Sequence, residues 1–436
     1  MSMSASKYLV PLMFVAVFGC SEEPAPEEAT TSTNNQGKGD FFGFDDVQFA
    51  DLYNGTASVD ILPVRGRLVE DDKDEIGDLE VTPFSQLSQD ETKNADIEVY
   101  LVVDGERIKV ADLQTDKEGY FDAVVDISDL GLSAGRYEYQ VWYEDEAAGS
   151  AKVVLLENDR NVPVVRSDVD LTYINTDFQT ASAMFDLVIT SAATREALPA
   201  MPLVYTNLRG HDSIPVTFLS GSPKFFKRTI ESKMALDGME QDGVVLKPFK
   251  DIVSTNVRDL SLSAIVPGLK EQIGYKLTWL LKLRLQLPAN TPEILMGDDS
   301  EADVVAYNLY YRLLSGELNE ISLHDELVDI QVAPAWITQV DAFAQLVDVG
   351  PDAAPVAIYI NKTTVTNAEL PVAEWTIPGV TRYHEGAWPL MLDLQEEGLV
   401  SDEAVSDVHD ALIESGASED ALDAHAAAAD FLDAAL

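Results

Sequence analysis

Two periods divide the chain. From about residue 56 to 158, apolar positions alternate with polar ones. The runs 58–69, 97–103, 107–113, 120–125 and 137–143 read as half-buried strands. Asp104-Gly105 between two of them is a tight-hairpin signal, and Lys117-Glu118-Gly119 marks another turn. No helix-length periodic run interrupts this part, which predicts a small antiparallel β-sandwich domain over 56–158. From 159 to 385 short apolar runs alternate with longer helical stretches. Runs 162–167, 215–219, 243–246, 293–296 and 356–360 predict buried parallel strands, and 223–236, 274–287 and 303–314 predict helices. The alternation implies an α/β fold with crossover helices, whose ligands bind at the C-terminal ends of the strands. Segment 316–354 reads as an insertion or diverged segment before the last core strand, able to form a cap. Residues 386–436 form an acidic, Ala-rich helical extension. Trp388, Leu390, Leu392, Leu394 and Leu399 are expected to pack back on the domain, and the final stretch to fray, with a partner helix as the alternative.

The N-terminus does not belong to the folded part. Tyr8 to Gly19 is an apolar run too short to span a bilayer but suited to a signal peptide. It ends at Cys20, the sole cysteine, preceded by Gly19. That junction resembles a bacterial lipobox, so residues 1–20 read as a lipoprotein signal peptide with Cys20 as the lipidated residue. A plain signal peptide is the alternative. One cysteine allows no intramolecular disulfide. Residues 21–55 read as a flexible tether and transition. The implied location is extracytoplasmic, with a lipid anchor in the bacterial envelope; Ser21 after the cysteine favours the outer membrane by analogy with known lipoproteins.

Charge narrows the partners. A net charge of −47 leaves no general basic surface for nucleic acid or an anionic bilayer. Residues 209–284 depart from this, with 12 Lys or Arg against 8 Asp or Glu. Lys224, Lys227, Arg228, Lys247 and Lys250 suggest either a basic field beside an anionic substrate or ordinary surface lysines. The acidic stretch 71–80 lacks EF-hand spacing and reads as a solvated loop.

Four separated segments carry candidate chemistry, each where a strand ends or a helix begins. Asp168 follows an apolar run and suits a nucleophile that attacks phosphorus, and Asp170 a general acid and base. Taken alone, such a pair in a chain with 76 acids is as well read as a solvated turn. Ser220 ends a strand-like run and could cradle phosphate at a helix start, or Ser222 could simply cap that helix. Lys276 is expected to open an apolar helix and bind the phosphoryl group. Asp298 and Asp303, beside Gly297, suit Mg²⁺ together with Asp168 and Asp170, although an acidic helix start accounts for them equally. Together the parts describe metal-assisted phosphoryl transfer.

The order and character of these motifs resemble the haloacid dehalogenase superfamily of phosphatases. A narrower resemblance, to the actin-patch phosphatidate phosphatase family, rests on Arg166-Ser167-Asp168-Val169-Asp170-Leu171-Thr172 with Thr176, Leu219-Ser220-Gly221-Ser222-Pro223, Tyr275-Lys276-Leu277, Gly297-Asp298 with Asp303 and Tyr307, and Glu397-Gly398-Leu399. Gly66-Arg67 and Thr115-Asp116-Lys117-Glu118-Gly119-Tyr120-Phe121 upstream extend it to about 56–400. Family members usually carry a third acid where this chain has Leu171. The resemblance implies a Rossmann-type parallel sheet with helices on both faces and Mg²⁺-dependent removal of phosphate from phosphatidate through an aspartyl-phosphate. A soluble phosphomonoester as substrate, or a degenerate envelope lipoprotein that binds a partner, stand as alternatives.

Overall fold

The computed structural model describes residues 46–72, 90–159, 161–176, 191–211, 213–247, 269–300, 302–350, 353–363 and 372–434. The signal peptide, Cys20, most of the tether, most of the acidic stretch 71–80 and Lys250 lie outside the described residues.

The alternating half folds as two sheets around one core. Strands β1 (Asp46–Leu52), β3 (Ile61–Asp72) and β4 (Asp90–Glu91) pair in order, and β7 (Tyr120–Asp126) pairs with β3. The second sheet runs β2 (Gly55–Ser58), β9 (Glu146–Leu156), β8 (Gly135–Tyr143), β5 (Asp96–Val103), β6 (Glu106–Gln114). Period two decides the core: Ile97, Val99 and Leu101 of β5 point inward against Leu62, Val64, Tyr139, Val141 and Val153. Asp104 and Gly105 both take positive φ, 52° and 82°, in the two-residue turn their sequence predicts. The pairing is antiparallel except that β2 runs parallel to β9. Strands β1 and β9 were not legible in the alternation, and β1 lies in the stretch read as a transition.

The second half is a six-stranded parallel sheet in the order β12 (Gly243–Lys247), β11 (Val216–Pro223), β10 (Val164–Ser167), β13 (Glu293–Asp298), β14 (Ala357–Asn361), β15 (Thr381–His384). Strands β10 to β14 coincide with the five apolar runs. They are almost wholly buried, as a sheet covered on both faces requires. Strand β15 is an addition to the expected set; Thr-Arg-Tyr-His carries no apolar run, and its two middle residues are only half-buried at the sheet's edge.

One face is covered by helices α1 (Met201–Gly210), α2 (Lys227–Leu236), α7 (Ala387–Glu396) and α8 (Asp402–Glu414). The other is covered by α3 (Leu269–Arg284), α4 (Asp303–Leu314), α5 (Glu320–Asp329) and α6 (Pro334–Ala344). Helix α9 (Glu419–Ala434) anchors Leu422 in the first layer, so the stretch expected to fray is helical and packed there. Segment 316–354 forms the α5–α6 hairpin. A Cβ on Gly274 of α3 would stand 2.5 Å from Trp336 Cβ, so this glycine lets α6 lie close against α3. The hairpin thus widens the helical layer.

The basic segment has a structural use. Lys227 is buried and pairs with Asp51 at 2.6 Å and Glu231 at 2.8 Å. Lys224 Nζ lies 3.8 Å from the Tyr120 ring centroid, and Arg228 stacks 4.6 Å from Phe49. Lys247 is buried and pairs with Glu271. Lys224, Lys227 and Arg228 join the two sheet systems, while Lys247 pairs within the α/β half; these four cations have structural partners and do not form an open basic field. Arg65 acts likewise from the other side. Its guanidinium lies 4.2 Å from Tyr53 and 4.9 Å from Trp279, and donates to the Val244 carbonyl.

Candidate active site

Strand order reverses at β10: β11 and β12 lie to one side, β13 to β15 to the other. The C-terminal ends of β10, β11 and β13 therefore open into the crevice where α/β sheets bind ligands.

Asp168 follows the last residue of β10. Its backbone N–H donates to the Met296 carbonyl at 2.8 Å, which ties it to β13. The chain then turns sharply. Tyr173 N–H returns to the Val169 carbonyl at 2.8 Å, and Leu171 takes a φ of 55°, costly for a branched side chain. Asn361, the last residue of β14, donates to the Leu171 carbonyl at 2.8 Å and accepts from Gly386 N–H at 3.1 Å. This brace went unnoticed in the sequence, though a polar residue closing an apolar strand was a signal for it.

Lys276 Nζ reaches both Asp168 Oδ1, at 3.0 Å, and Asp303 Oδ1, at 2.5 Å, and all three side chains are buried. Lys276 does not open its helix. The apolar stripe of α3 begins earlier, with Ile273, Leu277 and Leu280 on one face, so Lys276 lies two turns in. Asp303 begins α4, and its Oδ2 accepts the Asp298 N–H at 3.2 Å. Asp298 Oδ1 in turn accepts from Ser300 N–H at 2.7 Å and from its hydroxyl.

Asp168, Asp298 and Asp303 each offer a carboxylate oxygen, and these oxygens lie within 4.8 Å of one another. Burial drives the Asp168 carboxyl well above its usual range. Lys276 opposes this, while Asp303, Asp298 and Asp170 reinforce it. One lysine cannot offset so many buried acids. Asp168 Oδ2 also meets no hydrogen-bond donor among the described residues. Oxygen ligands with excess negative charge and an unmet acceptor fit a divalent cation.

Asp170 stands apart from that trio. Thr176 Oγ1 donates to its Oδ1 at 2.8 Å; Ser220 Oγ and Ser222 Oγ donate to its Oδ2 at 3.1 and 2.8 Å. The four-acid metal set expected from the sequence is therefore a carboxylate trio plus one acid held by hydroxyls. The Ser220 setting also differs from expectation. Strand β11 continues past it to Pro223, whose extended ψ of 151° delays helix α2 until Lys227. Ser220 thus lies within strand backbone, with Ser222 N–H donating to its Oγ at 3.0 Å.

Arg195 is a second buried cation. It stacks 5.3 Å from the Phe226 ring; burial lowers its affinity for the proton, and Asp170 opposes this. No motif surrounds it in the sequence.

Residues 163–325 match the family model described as phosphatidate phosphatase APP1, catalytic domain. This segment resembles an APP1-type catalytic domain. The match encloses Asp168, Asp170, Ser220, Lys276, Asp298 and Asp303, and it supports a phosphoric monoester hydrolase. The matched segment begins just before β10 and ends within α5, so β14, β15 and the C-terminal helices lie beyond it. No curated protein matches the chain. Among solved structures, PhoD is similar at 10% identity and a TM-score of 0.29, over 57% of this chain and 62% of that one. A glycosyl hydrolase family 2 member from Bacteroides cellulosilyticus is similar at 9% identity and a TM-score of 0.23, over 80% of this chain and 39% of that one. The chain spans less than two thirds of either structure, and likeness at these scores carries no further weight.

Proposed function

We propose that the chain is a Mg²⁺-dependent phosphatidate phosphatase that works through an aspartyl-phosphate on a haloacid dehalogenase-like fold. One observation carries this reading. Asp168 has one oxygen on Lys276 and the other without a donor, and it stands two residues from an acid held by hydroxyls.

A carboxylate oxygen of Asp168 attacks phosphorus in line with the alcohol oxygen. As the P–O bond breaks, Asp170 gives its proton to the leaving oxygen, and diacylglycerol departs. Asp170 then takes a proton from water, whose oxygen attacks the phosphorus of the acyl phosphate. Inorganic phosphate leaves and Asp168 is restored. Lys276 holds the carboxylate of Asp168 and meets phosphoryl oxygens, while Ser220 keeps Asp170 aimed. Mg²⁺, held by Asp168, Asp298 and Asp303, would supply positive charge that offsets the phosphate and the three carboxylates. A lipid anchor at Cys20 would tether the enzyme to the envelope beside such a substrate.

The test is inorganic phosphate release from dioctanoyl phosphatidate and from p-nitrophenyl phosphate, with Mg²⁺ or EDTA, for wild type and Asp168→Asn. Mg²⁺-dependent release that falls at least about a thousandfold in the variant supports the reading. Equal rates in the two proteins exclude the nucleophile. A preference for the soluble ester moves the substrate away from lipid.

A further inference from the structure

Gln272 lies on α3 one turn before Lys276, so both side chains project from the same face. Helix α3 carries the chain back from the C-terminal end of β12 toward the start of β13, so its N-terminal turns lie at the open edge of the site. Gln272 is therefore one turn further out than Lys276. It is 5% exposed, and its Oε1 accepts no hydrogen bond among the described residues. Buried amides are normally satisfied, and an unmet one beside a catalytic site points to a ligand.

Its neighbour fixes what that ligand group is. A Cβ on residue 221 would lie 3.1 Å from Gln272 Cδ and 3.3 Å from Nε2, so the amide rests directly on Gly221. Gly221 separates Ser220 and Ser222, the two hydroxyls that hold Asp170 Oδ2. Asp170 protonates the leaving oxygen in the proposed reaction. The amide thus stands over the leaving-group side of the phosphoryl centre, and either of its ends can turn toward a partner.

We propose that Gln272 reads the leaving group. Its amide hydrogen-bonds the next oxygen of the alcohol beyond the scissile bond, which selects phosphate monoesters with an oxygen on the neighbouring carbon, such as glycerol esters, over plain alkyl phosphates. This rests on the phosphatase reading above.

The test compares wild type, Gln272→Met and Gln272→Glu on dioctanoyl phosphatidate and on dodecyl phosphate, which lacks the neighbouring oxygen. Each protein is also melted thermally. Wild type is expected to prefer phosphatidate in kcat/KM, and Gln272→Met to reduce that preference about tenfold. An unchanged preference, whether both rates fall together or neither moves, overturns the proposal and leaves the phosphatase reading intact. Where Gln272→Met fails to fold, the same ratio in Gln272→Glu, which keeps the shape, decides. Wild type that releases phosphate from neither ester defeats the phosphatase reading itself, and the role of Gln272 with it.

Discussion

Gly297 leaves the space that Asp303 occupies: a Cβ on residue 297 would stand 2.6 Å from Cβ, Cγ and Oδ2 of Asp303. The glycine is needed here for close approach, since it is absent from the positive-φ residues. Gly297→Ala is expected to push the Asp303 carboxylate out of the trio. The apparent affinity for Mg²⁺, read from a titration of phosphate release or by calorimetry, should weaken at least about tenfold, as for other displaced metal ligands. Unchanged Mg²⁺ dependence would remove Asp303 from the metal site.

Lys276 holds two buried carboxylates, so its removal leaves uncompensated charge. Lys276→Met should lose about 3–5 kcal/mol of stability in EDTA, and visibly less in Mg²⁺, because the cation offsets the same acids. Urea unfolding in the two buffers measures both. Equal losses would show that the trio binds no divalent ion.

Arg65 fastens the two sheet systems through Tyr53, Trp279 and the Val244 carbonyl. Arg65→Ala should cost about 2 kcal/mol from lost stacking and one hydrogen bond. Arg65→Lys should recover little of it, since an ammonium cannot stack as a plane between two rings. Chemical denaturation of both variants tests the difference.

His384 closes β15 with Nδ1 2.9 Å from the Gly386 carbonyl, and burial pushes it down to about 4. An unfolded histidine binds its proton near 6.5, so between these values the unfolded chain holds more protons and stability rises with pH. At fixed temperature, acidification from pH 7 to about pH 4 should cost about 2–3 kcal/mol at this site. His384→Gln should flatten this part of the stability profile. An identical slope in the variant would place the acid sensitivity elsewhere.

Much of this molecule was legible because its strands obey simple periods. The four inner strands of the parallel sheet and the edge strand β12 are apolar runs, and the Asp104-Gly105 hairpin follows from backbone conformation alone. The acids fell near strand ends and helix starts, so their convergence could be anticipated, whereas Lys276 lies two turns inside its helix. Strand β15 escaped notice because an edge strand need not be apolar. Helix α1 begins after Ala200 at a φ of 59° with no side-chain cap, so Pro202 in its first turn is a start signal without a capping residue before it. Thr176 entered only as the flank of a motif and Ser222 as a possible helix cap, since a hydroxyl's role depends on the carboxylate it meets in space. The interface lysines looked like a basic field because sequence gives charge but not its partners.

Those buried lysines carry a consequence for the whole chain. Against 76 acids it has 29 basic residues, and Lys227, Lys247 and Lys276 are enclosed within the protein. The outward face is correspondingly a dense anionic shell, wrapped around cationic rivets that solvent ions scarcely reach. Dissolved salt should relax the mutual repulsion of the shell and leave the rivets intact. Saline surroundings would then consolidate this protein, and fresh water would strain it.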